Sequence, residues 1–108
     1  RCSMQIEWLH EAQMEYREFL LFYKNKVGIP YAETFSKKIL SGVNRLADFP
    51  ELGVLKDNLL GHYGFRALFI DKYVVIYRIS TVENKVFIYH FADARSNYIY
   101  NIFGLTEN

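Results

Sequence analysis

The sequence predicts an α+β domain in which two antiparallel helices pack on an antiparallel sheet. Three observations predict it. Between residues 10 and 46 the apolar side chains recur at three- and four-residue steps, the period of a helix buried on one face. That pattern is interrupted once, by "VGIP" at 27–30. From residue 65 the character changes to three runs rich in β-branched and aromatic residues, "FRALFI", "YVVIYRIS" and "KVFIYHFA".

The elements follow in order as β-α-α-β-β-β(-α). "MQIEWL", residues 4–9, alternates Ile6 and Trp8 with Gln5 and Glu7 and reads as a short first strand. Ala12, Tyr16, Phe19, Leu20, Tyr23 and Val27 then form the apolar stripe of a helix over about residues 10–26. Gly28 can end that helix and Pro30 can sit in the first turn of the next. The second helix spans about residues 31–48, with Phe35, Ile39, Val43 and Leu46 inward, and Pro50 closes it. A corner this short makes the two helices antiparallel neighbours. Residues 51–64 carry Gly53, Gly61 and Gly64 and no clear period, so they read as a loop with a helical turn at 55–60. The gaps "DK" and "TVEN" between the last three strands suit hairpins, giving a meander. Residues 97–103 read as a short final helix, with Ile99, Ile102 and Phe103 packing back on the core. Alternation leaves open which later strand the first one joins.

Composition bounds the function. The chain has 108 residues, 51% of them apolar and 23% charged, as expected of one folded domain, here residues 4–104. Residues 1–3 read as a leader foreign to that domain, ahead of Met4. No apolar run reaches the length of a membrane span, and "RCSMQIEWL" lacks the apolar stretch of a secretory signal. The single cysteine, Cys2, rules out an intramolecular disulfide, and a reducing cytoplasm is the expected location. There is no HExxH, no cysteine pair and no acidic cluster, so no metal or other cofactor is expected. A P-loop and a Gly-x-Ser-x-Gly are likewise missing. The net charge of +1 means that any attraction for nucleic acid is local. Nine Phe, nine Tyr and one Trp fill the core, and tyrosines left over could stack on bases.

Four stretches in this order resemble a known group. They are Trp8 and Ala12 at the strand-to-helix entry, "ADFPELG" (47–53), "GFRALFIDKYVVIYRI" (64–79) and "VFIYHFADAR" (86–95). Together they resemble the RelE/ParE superfamily, the toxins of type II toxin–antitoxin systems, some of them known as plasmid stabilisation proteins. The resemblance covers about residues 4–104 and implies the same β-α-α-β-β-β fold. It implies a growth-inhibiting toxin neutralised by a cognate antitoxin that drapes a helix or extended segment over the helices and the sheet edge. RelE-like members imply a ribosome-dependent mRNA endonuclease (an mRNA interferase), and ParE-like members imply a non-enzymatic inhibitor of DNA gyrase.

The endonuclease alternative makes chemical demands. Metal-free cleavage uses the 2′-hydroxyl as nucleophile, so it needs a proton acceptor, a proton donor and cations on the phosphate. The resemblance places Arg66 (in Gly-x-Arg) and Arg95 on the phosphate, with Tyr98 acting against the substrate. His62 is a candidate for proton transfer. Lys56 and Arg78 are candidate substrate-binding residues. Each has a structural alternative. Arg66 shares its strand face with Leu68 and Ile70 and could instead snorkel at the sheet edge or pair with a carboxylate. Arg95 could bridge to Asp93. Tyr98 could pack in the core, and Lys56 could be merely solvated. Arg78 alternates with Val74 and Ile76 and could lie over a tyrosine as a cation–π contact. His90 reads as a half-buried sheet residue and His10 as the helix start. Because Arg66, Arg95 and Tyr98 occur together, the endonuclease is the expected function and the gyrase inhibitor the alternative. The near-neutral charge, the few bases in 51–64 and the "VIYRI" strand favour the gyrase inhibitor.

Overall fold

The structure, a computed structural model, describes residues 3–56 and 64–96. It comprises β1 (Gln5–Trp8), α1 (His10–Lys26), α2 (Ile29–Asn44), β2 (Val54–Lys56), β3 (Phe65–Ile70), β4 (Tyr73–Ser80) and β5 (Lys85–Asp93).

The helical hairpin turns where the sequence places it. The N–H groups of Val27 and Gly28 both donate to the Tyr23 carbonyl, each at 2.9 Å, and end α1. Gly28 then takes φ 138°, a conformation that L side chains avoid, and becomes the N-cap of α2. Val27 is 59% exposed, because it falls in this cap rather than on the buried stripe. The second helix stops at Asn44, short of the expected 48. Its pattern runs on because the 3-10 turn Arg45–Ala47 keeps Leu46 fully buried.

Two expectations about the sheet are corrected. Residues 51–64 are not all loop: Pro50–Leu52 is a 3-10 turn, and β2 pairs antiparallel with β3. The sheet is not purely antiparallel either. It has five strands in the order β1-β5-β4-β3-β2, and β1 lies parallel to β5. Side-chain alternation fixes which face a strand buries but not its neighbour, so the parallel pair could not be read from period alone. The expected final helix lies outside the described residues.

The helices cover one face of the sheet. Leu68, Val75, Tyr77, Val86, Ile88 and Phe91 meet Ala12, Phe35, Ile39 and Val43 there. Aromatic rings fill the centre: Phe35 and Phe91 both pack on Tyr73, at 5.2 and 5.4 Å between centroids. The opposite face carries a smaller cluster of Phe65, Ala67, Val74, Ile76 and Ala92, with Tyr89 and Ala94 beside it.

A bulge shifts the β4–β5 register, so that Ile76 faces His90 while Tyr77 faces Ile88. The Glu15 carboxylate of α1 serves the bulge. It accepts the Phe91 N–H at 2.9 Å and lies 3.1 Å from His90 Nδ1.

Candidate functional site

The strand register sorts the candidate residues onto two faces. Leu55, Arg66 and Tyr77 lie side by side across β2, β3 and β4, followed by Ile88 on β5. Tyr77 is fully buried under the helices, so this row faces them. The adjacent row is Lys56, Phe65, Arg78, Phe87 and Glu7, from β2 across to β1, and it faces the other way.

Arg66 is engaged by the protein's own backbone. Its Nη1 donates to the Gly53 carbonyl at 2.9 Å and lies 3.5 Å from the Glu51 carbonyl. Beside it the Tyr77 hydroxyl donates to the Pro50 carbonyl at 2.6 Å and accepts the Gly53 N–H at 2.8 Å. Burial pushes the Tyr77 phenol above its ordinary pKa, so it stays neutral and able to donate. Arg66 and Tyr77 thus hold the 50–53 turn from beneath, and Gly53 is the residue they grip.

Arg95 lies in the turn after β5. Its Nε and Nη2 form a fork on Asp93, at 3.0 and 2.8 Å, and its backbone N–H adds a third bond at 2.9 Å. The hydrogen bond from the Arg95 side chain, foremost, brings the Asp93 carboxyl down from 3.8 to about 2. The guanidinium remains 70% exposed. Asp93 pairs with Tyr73, whereas Arg66 pairs with Tyr77 on the same strand. The backbones of Arg66 and of Asp93, on which Arg95 is forked, are therefore separated by roughly 13 Å along the strands and roughly 10 Å across them. The two arginines do not meet on one phosphate-sized point.

Arg78 is exposed on the other face. Its guanidinium lies over Phe65, 5.3 Å from the centroid, so its aromatic partner is a phenylalanine rather than the expected tyrosine. Among the described residues neither Arg78 nor Lys56 pairs with a carboxylate. His10 opens α1, and half-buried His90 is tied to Glu15. His62 and Tyr98 lie outside the described residues.

Sequence reasoning missed Tyr77, Gly53 and Glu15. A tyrosine in a strand and a glycine in a loop carry no local sign that they bond to each other, and nothing around Glu15 in the sequence shows that it reaches the β5 backbone. At the end of β4 nearest Arg95, Tyr73 is buried and shares a hydrogen bond between hydroxyls with Tyr23. Burial, first, and then that bond push the Tyr73 phenol well above its ordinary pKa. No group of three or more His, Cys, Asp or Glu side chains is placed to hold a metal among the described residues. No described helix is long and apolar enough to cross a membrane.

Comparison with known proteins adds the family. The family described as the ParE toxin of type II toxin–antitoxin system, parDE, matches residues 6–98. The chain belongs to the ParE toxin family. Solved structures agree on the fold of this ParE-family chain. It is similar to a chain of the chromosomal ParDE toxin–antitoxin system from P. aeruginosa, with a TM-score of 0.70 at 16% identity, over 86% of this chain and 98% of that one. It is similar to a chain of the RelBE2 toxin–antitoxin complex from Mycobacterium tuberculosis, with a TM-score of 0.60 at 13% identity, over 84% and 98% of the two chains. It is also similar to the isolated E. coli RelE toxin, with a TM-score of 0.55 at 18% identity, over 92% and 93%. No curated protein matches the ParE-family chain. The two helices on a five-stranded mixed sheet are thus the RelE/ParE architecture.

Proposed function

We propose that this ParE-family toxin arrests growth by binding its target, DNA gyrase, rather than by cutting mRNA. The observation that carries the reading is the separation of the candidate residues. Transfer of an RNA phosphate needs cations and proton-transfer groups within hydrogen-bond reach of one another. Here Arg66 faces the helices and holds the Gly53 carbonyl, Arg95 is forked on Asp93, and Arg78 faces the other way. The middle of the sheet face away from the helices is apolar and buried, with Ala67 beside Ile76, and Val74 beside Ala92. The ribosome-dependent endonuclease rests on Arg66, Arg95, Tyr98 and His62 acting together, with Lys56 and Arg78 on the mRNA.

The toxin acts in the cytoplasm as a single domain over residues 4–104, under the control of a cognate antitoxin. The helical hairpin supports such a partner: Leu21, Phe22, Val27, Ile29 and Tyr31 are exposed at its tip, from 44% to 59%. A run of large apolar side chains in water suits the apolar side of an antitoxin segment.

The test induces the chain in cells and follows abundant mRNAs by primer extension, beside a supercoiling assay on purified gyrase. Intact mRNA, growth arrest and blocked supercoiling are expected. New ends inside translated regions, lost in Arg95→Ala and in Arg66→Ala/Arg95→Ala, would replace this reading with the endonuclease.

A further inference from the structure

We propose that the free end of the β5 edge, where it runs beside α1, takes an extended segment of a partner polypeptide as an added strand, with a lysine or arginine of that segment on Glu18. The proposal goes beyond the gyrase reading, does not depend on it, and concerns a surface other than the hairpin tip.

The edge exists because β1 is shorter than its neighbour. β1 pairs with β5 only from Lys85 to Ile88, and the chain then turns into α1. From Tyr89 to Asp93, β5 has β4 on one side and no strand on the other among the described residues. The Ala94 N–H donates inward, to the Lys72 carbonyl at 2.8 Å. Backbone groups alternate sides along a strand, so those of Phe91 and Asp93 point outward. The first of them already finds a substitute for a strand: the Phe91 N–H donates to the Glu15 carboxylate at 2.9 Å. The Phe91 carbonyl and the Asp93 N–H come next, and neither takes a hydrogen bond among the described residues. A residue laid parallel opposite Ala92, on the line that β1 leaves, donates to the first and accepts from the second. Strand addition uses such a pair of edge groups.

There is room for the added strand. Between this edge and α1 lies an open cleft of about 350 Å³, lined by Glu15, Glu18 and Phe19 of α1 and by residues 91–93 and Ser96. Charge chooses the occupant. Glu11, Glu15 and Glu18 recur at four- and three-residue steps and so share one flank of α1. Glu15 is held at the bulge and Arg95 offsets Asp93, but Glu11 and Glu18 pair with no cation among the described residues. A partner strand with a basic side chain on its α1 side lays the aliphatic stem along Phe19 and sets the charge on Glu18. An acidic segment would instead bring like charge against Glu18. The chain does not supply this cation from its own end, because residues 97–108, "NYIYNIFGLTEN", contain neither lysine nor arginine.

The experiment titrates the isotope-labelled full chain with short capped peptides and follows amide shifts and exchange by NMR. The peptides alternate threonine and valine around a central lysine, arginine, glutamine or glutamate. The lysine and arginine peptides should bind saturably, shift the amides of Phe91–Asp93 and slow exchange at Asp93. The glutamine peptide should bind roughly tenfold more weakly, and the glutamate peptide more weakly still. Glu18→Gln should weaken the lysine peptide by a similar factor of roughly ten, and added salt should narrow that difference. Methylating the backbone nitrogens that flank the lysine should abolish binding, because it removes the N–H that meets the Phe91 carbonyl. Melting curves check that Glu18→Gln is folded. The proposal is overturned if no peptide binds, or if folded Glu18→Gln binds the lysine peptide as the native chain does. It is overturned if methylation changes nothing, which would leave a charge contact without a strand. Shifts at the same amides that grow with the concentration of the chain alone would also overturn it, by making a second copy the occupant.

Discussion

The Tyr77 hydroxyl accepts the Gly53 N–H at 2.8 Å, joining the middle of β4 to a turn 24 positions earlier in the chain. The same hydroxyl donates to Pro50, so one buried oxygen satisfies two backbone groups. Tyr77→Phe leaves both without that partner and should cost about 1–3 kcal/mol, read by urea unfolding. Gly53→Ala should cost a similar ~1–3 kcal/mol, because its Cβ would lie 2.7 Å from the Tyr77 hydroxyl. The two changes act on one contact, so their effects should not add.

Arg66→Lys keeps the charge but loses the flat fork that reaches the Gly53 carbonyl. It should lower stability by about 1–2 kcal/mol. If Arg66 acts only by holding this turn, growth arrest lost in Arg66→Lys should return on lowering the growth temperature. Arrest that stays absent when circular dichroism shows a folded chain would assign Arg66 a direct part in toxicity.

Asp93 sets an acid-side dependence. Its carboxyl titrates near 2 in the folded chain, against an ordinary value of 3.8. The stability it contributes is complete above the ordinary value and is lost as the pH falls towards 2. The effect should be small, because Arg95 is well exposed and solvent screens the pair. Carboxyl NMR should show the depressed titration, and Arg95→Ala should return it towards the ordinary value.

Glu15→Ala removes the acceptor that serves the bulged Phe91 N–H and the partner of His90. It should cost about 1–3 kcal/mol and speed amide exchange at Phe91. Glu15→Gln keeps an acceptor for the amide and should recover part of the loss.

The elements that could be read from sequence are those whose period is long and undisturbed. The strands of "FRALFI" and "YVVIYRIS" fall on β3 and β4 to the residue, and Gly28 with Pro30 marks the helical corner. Val54–Lys56 is too short to show a period and becomes a strand only because β3 lies beside it. The site was legible as residue types but not as faces: Arg66 and Arg78 point to opposite sides of one sheet, while the fork of Arg95 on Asp93 is the structural alternative its sequence position offers. The grip on Gly53 joins distant segments and leaves no local trace.

The parallel pairing of β1 with β5 also sets when the toxin can exist. Glu7 and Lys85 meet across that pair although they stand 78 positions apart. At ordinary translation rates the first strand waits roughly 4–16 s for its partner to be made. Until then α1 lacks the β5 surface that buries Phe19 and Tyr16. A nascent chain therefore cannot complete its sheet until β5 emerges, and that interval leaves the helical hairpin without its β5 surface.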